Sequence, residues 1–235
     1  MGVRSPVLLL AALLALSAAP VAAAGGADRA PAAGAATKAA RPVSMPGLSD
    51  GPREVVLKAA LSAYAKALKQ GSVAREGLLT IIDYTLPSTE PRLWVVDLER
   101  AQVLYRELVA HGRASGDNIA NRFSNKSGSF MSSLGLFVTD QSYVGENGYS
   151  MRLRGLEKGV NDHAYDRAIV MHGAGYVDEG VAQALGRLGR SLGCPAVRLD
   201  IATPLIDTIK DGTVMFAYGA KSSAKRQPTV TRVRN

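Results

Sequence analysis

A single cysteine, Cys194, stands among 235 residues, and that scarcity excludes a disulfide framework and a zinc site built on paired cysteines. Histidine is nearly as scarce: His111, His163 and His172 are the full set, and none falls in an H-E-x-x-H pattern. Their spacing does not support a metal-binding trio, so no metal is expected. No apolar run approaches the ~20 residues that cross a bilayer, so the mature protein is expected to have no transmembrane anchor. Acidic residues are in deficit, with 20 Asp and Glu against 28 Lys and Arg, a net charge of +8. Such a surface favours anionic partners such as nucleic acid, lipid headgroups or an acidic cell-wall polymer. No recognition-helix or zinc-finger pattern accompanies it, so no nucleic-acid partner is expected.

What is present suits one packed domain with appendages, since hydrophobic residues make up 47% of the chain. Residues 1–24 combine Arg4, an apolar run from Val7 to Leu16 and a small-residue exit at Ala22, Ala23 and Ala24, the pattern of a secretory signal peptide. The protein is therefore expected to be exported to a periplasm or cell envelope. Residues 25–48 are rich in Ala, Gly and Pro without apolar periodicity and read as a flexible spacer. Residues 221–235 read as a basic, disordered tail. Export sharpens the question of Cys194, because an unpaired cysteine in an oxidising compartment is either reactive or a buried small apolar residue.

Residues 49–71 carry helix signals, with Ser49 or Asp50 as cap candidates and Gly71 past the end. Val56, Leu57, Ala60, Leu61, Tyr64 and Leu68 recur at helical spacing, which predicts an apolar face docked on the core. Beyond them the runs shorten: "GLLTIIDYTL", "RLWVVDLERAQVLYREL", "SLGLFVTDQSYVG", "GYSMRLRGL", "RAIVMHGA" and "GTVMFAYG", separated by polar turns. This predicts a mainly β (α+β) domain, a sandwich or barrel, over residues 72–220. "VDEGVAQALGRLG" and "ATPLIDTIKDG" read as short helices.

Two patches have the residue types of a nucleophilic site, "IVMHGAGYV" and "GRSLGCPAV". A thiol attacks as thiolate, so a cysteine nucleophile needs a base, and His172 at the exit of a strand over 169–171 is a candidate. Gly193 permits a tight approach before Cys194, Pro195 fixes the backbone after it, and the turn's free N–H groups suit an oxyanion. The same residues also fit a satisfied polar histidine and a simple Gly-Cys-Pro turn. "GRSLG" matches the G-x-S-x-G elbow of serine hydrolases, but all three histidines precede Ser191, contrary to that order.

The run from "HGRASGDNIANRFSNKSGSF" through "GVNDHAYDRAIVMHGAGYV" to "GRLGRSLGCPAV" resembles the murein L,D-transpeptidase catalytic-domain family, a branch of the YkuD-type cysteine enzymes, over about Ile81 to Tyr218. The resemblance implies a YkuD-type β-sandwich or barrel that acts on peptidoglycan stem peptides without a cofactor. It makes Cys194 the nucleophile, His172 its general base and the Gly173 carbonyl the orienting group, and it places Ser191 and Gly193 in the active-site turn. The more familiar pattern has an arginine two positions after the cysteine. Ala196 stands there, and Arg190 becomes the candidate for the substrate carboxylate. The expected activity is an exported L,D-transpeptidase that releases terminal D-alanine and joins the acyl group to an amine of a second stem peptide. An L,D-carboxypeptidase, endopeptidase or amidase using the same residues is the alternative, followed by a non-catalytic, basic wall-binding module.

Overall fold

The computed structural model describes residues 48–220. The expectations for residues 1–24, for the spacer up to residue 47 and for the tail 221–235 lie outside the described residues. The elements are α1 (Glu54–Lys69), β1 (Leu78–Asp83), β2 (Leu93–Asp97), β3 (Gln102–Glu107), β4 (Gly135–Gly145), β5 (Gly148–Gly155), β6 (Val170–Gly173), α2 (Glu179–Leu185), β7 (Ala196–Val197), α3 (Leu199–Ile209) and β8 (Val214–Tyr218).

The strands form one sheet in the order β3-β2-β1-β8-β4-β5-β6-β7. β1 with β8 and β6 with β7 run parallel, and the other neighbours are antiparallel. Beyond β3 the chain bends round to the far edge, where Ala110 N donates to Ala196 O at 2.8 Å. The sheet is thus nearly closed on itself, so of the expected alternatives the fold is the barrel. That near-closure brings the segment after β3 against the strand that follows Cys194.

The apolar runs of β1 and β2 are continuous because both faces are covered. Ile82, Leu93 and Val95 face the interior with Phe137, Met151 and Leu153. Leu79, Ile81, Trp94 and Val96 face outward and pack under α1 against Val56, Ala60 and Tyr64. α3 closes the interior with Ala202, Leu205, Ile206 and Ile209.

Two local expectations are corrected. The N-cap of α1 is Arg53, not Ser49 or Asp50. Asp50 has φ 61°, and its carbonyl accepts Trp94 Nε1–H at 2.8 Å, so it belongs to the turn before the helix. Arg53 instead pins the helix to the end of β1, donating to buried Asp83 Oδ2 from Nε at 3.1 Å and Nη2 at 2.7 Å. His172 lies inside β6 and not at its exit, because it pairs on both sides, with Ser150 of β5 and Ala196 of β7.

Candidate active site

The turn carrying Cys194 is held by its own side chains and by the segment that closes the sheet. Ser191 Oγ donates to Cys194 O at 2.6 Å and accepts Gly193 N–H at 3.1 Å, bracing the turn from within. Ser191 N donates to His111 O at 3.0 Å, and Arg113 N donates to Ser191 O at 2.8 Å. Ser132 Oγ donates to Gly193 O at 3.1 Å and accepts Gly112 N–H at 3.0 Å. Gly193 has φ +132°, and a Cβ there would lie 3.0 Å from both Met131 O and Ile169 Cδ1, so a side chain is excluded by conformation and by space. Beneath the turn the interior leaves a cavity of only about 10 Å³, lined by Ile82, Tyr84, Phe137, Ile169 and Pro195 among others. A substrate therefore has to approach Cys194 from outside the barrel.

His172 is 5% exposed, and its Nδ1 lies 3.0 Å from Gly173 O. A carbonyl only accepts, so Nδ1 carries the proton and Nε2 keeps the lone pair of a base. Burial lowers the pKa of His172 from the ordinary 6.5, and the bond to Gly173 opposes that shift. The parallel register sets His172 beside Ala196, two residues after Cys194, and among the described residues no hydrogen bond joins the imidazole to Cys194 Sγ. Cys194 Sγ accepts Val170 N–H at 3.5 Å and donates to Ala168 O at 3.6 Å. Burial raises the thiol pKa, while Val170 N–H and the charge of Arg167 pull it down. The resting site thus holds a thiol and a neutral imidazole, so thiolate has to be made by proton transfer.

Arg167 was not singled out in the sequence. Its Nη1 donates to Ser124 O and Ser133 Oγ, both at 2.6 Å, and its Nη2 donates to Met131 O at 2.8 Å and Ser129 Oγ at 3.2 Å. All four acceptors are neutral, so its charge stays available to the neighbouring sulfur. Its only sequence signal is a basic residue just before the run that becomes β6, and nothing in that spacing connects it to residues 124–133. Tyr176, half-buried, also borders the site: burial, with the Cys194 charge, pushes its hydroxyl up to about 12. Arg190 lies behind the turn, where Nη1 donates to Gly116 O at 2.9 Å and pairs with Asp117 Oδ1 at 2.8 Å.

The other two histidines sit apart. His163 is exposed, with Nδ1 3.9 Å from Asp166 Oδ2. Among the described residues no cluster of three His, Cys, Asp or Glu side chains is placed to hold a metal ion. His111 is fully buried, with Nδ1 2.8 Å from Nη2 of the equally buried Arg92 and Nε2 3.3 Å from Gly116 O. Burial and the Arg92 charge push its pKa down to about 4. A histidine held neutral in the fold contributes stability that is complete above the unfolded value near 6.5 and is lost as pH falls toward 4. The shift corresponds to a loss on the order of 3 kcal/mol. Denaturation of the protein and a His111→Gln variant between pH 7.5 and 4 should show the wild type losing more stability by that order. Equal losses would unlink His111 from acid unfolding.

A family described as the L,D-transpeptidase catalytic domain matches residues 50–218. No curated protein matches the chain. Among solved structures, an L,D-transpeptidase from Mycobacterium smegmatis is 13% identical with a TM-score of 0.39, covering 61% of this chain and 59% of its own. The helical cell shape determining protein Pgp2 from Campylobacter jejuni is 11% identical with a TM-score of 0.43, covering 63% of this chain and 49% of its own. The chain thus spans about three-fifths of the first of these and about half of the second.

Proposed function

The chain belongs to the L,D-transpeptidase catalytic-domain family, whose members act on peptidoglycan stem peptides, and from that premise we propose that it is an exported cysteine L,D-transpeptidase. The observation that carries this reading is the pairing of a braced Cys194 turn with a neighbouring strand on which His172 has Nδ1 committed to Gly173 O and Nε2 free. Export is supported by the signal-like pattern of residues 1–24.

In the first step His172 Nε2 takes the thiol proton, and Cys194 Sγ attacks the carbonyl of the third stem-peptide residue, a diamino acid. Arg167 stabilises the charge forming on sulfur. The Gly193 N–H is occupied by Ser191 Oγ, whereas among the described residues the N–H groups of Leu192 and Cys194 make no hydrogen bond to another residue, and we assign the oxyanion to the N–H of Cys194 itself. The peptide bond breaks, His172 returns the proton to the departing amine, and D-alanine leaves a thioester on Cys194. In the second step an amine of another stem peptide attacks the thioester, His172 accepts its proton, and the thiol is regenerated as the new amide forms. One amide is exchanged for another, so the reaction needs no external energy source.

The test is mass spectrometry of the protein and its products after incubation with disaccharide-tetrapeptide, alongside Cys194→Ala. Cross-linked dimers lacking one D-alanine, together with an acyl adduct absent from the variant, are the expected result. Tripeptide alone would make the protein an L,D-carboxypeptidase. Retained binding with no adduct and no product would make it a wall-binding module.

A further inference from the structure

We propose that Arg152, held between the rings of Tyr143 and Tyr165, binds a carboxylate of the donor stem peptide, on a residue adjoining the bond that Cys194 attacks. The proposal rests on the reading of the site as an L,D-transpeptidase and specifies how that site holds its donor.

The guanidinium carbon of Arg152 lies 4.8 Å from the Tyr143 ring centroid and 5.2 Å from that of Tyr165. Stacking over two rings restrains the guanidinium and leaves its N–H donors without a protein acceptor among the described residues. Among the described residues the Arg152 side chain makes no hydrogen bond or ion pair; the same holds for Arg113, beside Ser191, but that guanidinium lies over a single ring, Phe130, at 4.2 Å. Arg154 pairs with Asp140 at 2.6 Å, Arg190 with Asp117 at 2.8 Å, and both Nη atoms of Arg167 are committed to the 124–133 segment. A planar cation with free, parallel donors matches a carboxylate in two-point contact. Because the rings already restrain the side chain, binding costs little further ordering.

Its place in the sheet puts it beside the chemistry. Arg152 is the register partner of Val170, whose N–H donates to Cys194 Sγ. Ser150, two residues earlier on β5, pairs with His172, so Arg152 and His172 project from the same face of adjacent strands. Two strand spacings of ~4.8 Å separate Arg152 from the Cys194 segment, a gap that about three residues of an extended peptide, at ~3.3–3.6 Å each, cover. A tetrapeptide donor carries the terminal carboxylate of the leaving D-alanine within that reach and, where its third residue is a diaminodicarboxylic acid, a side-chain carboxylate as well.

The test combines Arg152→Gln with donors in which one or the other carboxylate is amidated. With the unmodified donor, R152Q should raise KM by about 10- to 100-fold, the loss of a charge-assisted contact, with kcat much less affected. Amidation of the bound carboxylate should cost the wild type a similar factor and leave R152Q unchanged, and the donor that behaves so identifies the carboxylate. R152K, which keeps the charge and loses the fork, should fall between. Alkylation of Cys194 by iodoacetamide should proceed alike in wild type and R152Q, which reports an intact nucleophile. An unchanged KM in R152Q, or an amidation penalty of the same size in both proteins, overturns the proposal. Should R152Q fail to fold, equal KM values for free and amidated donors on the wild type overturn it alone. Absence of any acyl adduct on wild-type Cys194 would instead remove the transpeptidase reading, and this proposal with it.

Discussion

Replacing His172 with alanine should lower turnover at neutral pH by about 10²- to 10⁴-fold, and the deficit should shrink as pH rises. The reason lies in the resting protonation states. Burial lifts the Cys194 thiol above its ordinary value, so little thiolate forms unaided near pH 7 and the reaction depends on a base. Burial also holds His172 below its ordinary 6.5, so its base form is complete at neutral pH and persists into mild acid. Wild-type activity should therefore fall only as pH drops below that ordinary value. In the alanine variant, alkylation of Cys194 should climb with pH as thiolate forms by itself, approaching the wild type in alkali, while turnover recovers only in part because His172 also returns the proton to the departing amine. Alkylation rates of Cys194 from pH 5 to 10 in both proteins check this directly. A deficit that is constant across that range would mean that His172 shapes the site without moving a proton.

Gly112→Ala should be the most damaging single methyl addition near the site. A Cβ at residue 112 would lie 2.9 Å from Gly193 Cα, 3.0 Å from Ser132 N and closer still to Phe130 O. All three obstacles are backbone, so no side chain can swing aside. The same residue donates its N–H to Ser132 Oγ, which in turn donates to Gly193 O. Relief of the clash moves the Cys194 turn itself. Overpacking of this kind costs about 1–3 kcal/mol, and a displacement of the nucleophile by ~1 Å costs on the order of 10²-fold in rate. Gly175→Ala is the control: its Cβ would meet only Leu199 Cδ1, at 3.6 Å, and its stability should stay within about 0.5 kcal/mol of wild type. Comparable melting temperatures and turnover for Gly112→Ala and the wild type would show that the turn yields at no cost.

Much of the architecture was legible because local pattern and burial agree. The face of α1 reads from its three- and four-residue spacing, and Val56, Leu57, Ala60, Leu61 and Tyr64 are buried as that spacing requires. The short runs after it became strands, with "RLWVVDLERAQVLYREL" divided into β2 and β3 around a turn. The start of α1 was less legible, since a cap candidate such as Asp50 is suitable by residue type alone. Its carbonyl was claimed by Trp94, 44 residues away, a contact that no window of sequence contains.

The sequence by itself determined the chemistry available: one thiol, two histidines followed by a glycine, His111 and His172, and a Ser-x-Gly-Cys-Pro turn whose histidines all precede it, contrary to a serine-hydrolase elbow. Tertiary structure alone decided how those groups meet. β6 and β7 are parallel neighbours joined through α2, so the proximity of His172 and Cys194 depends on strand order. The near-closure of the sheet brings His111, Gly112 and Arg113 against Ser191 and Gly193, though some eighty residues separate them. The charge beside the sulfur, Arg167, and the stacked cation on the same face as His172, Arg152, have ordinary sequence contexts. Composition and spacing encode which groups a chain owns and which face of an element they occupy. Long-range pairing, set by burial of both faces of a curved sheet, determines which faces come together.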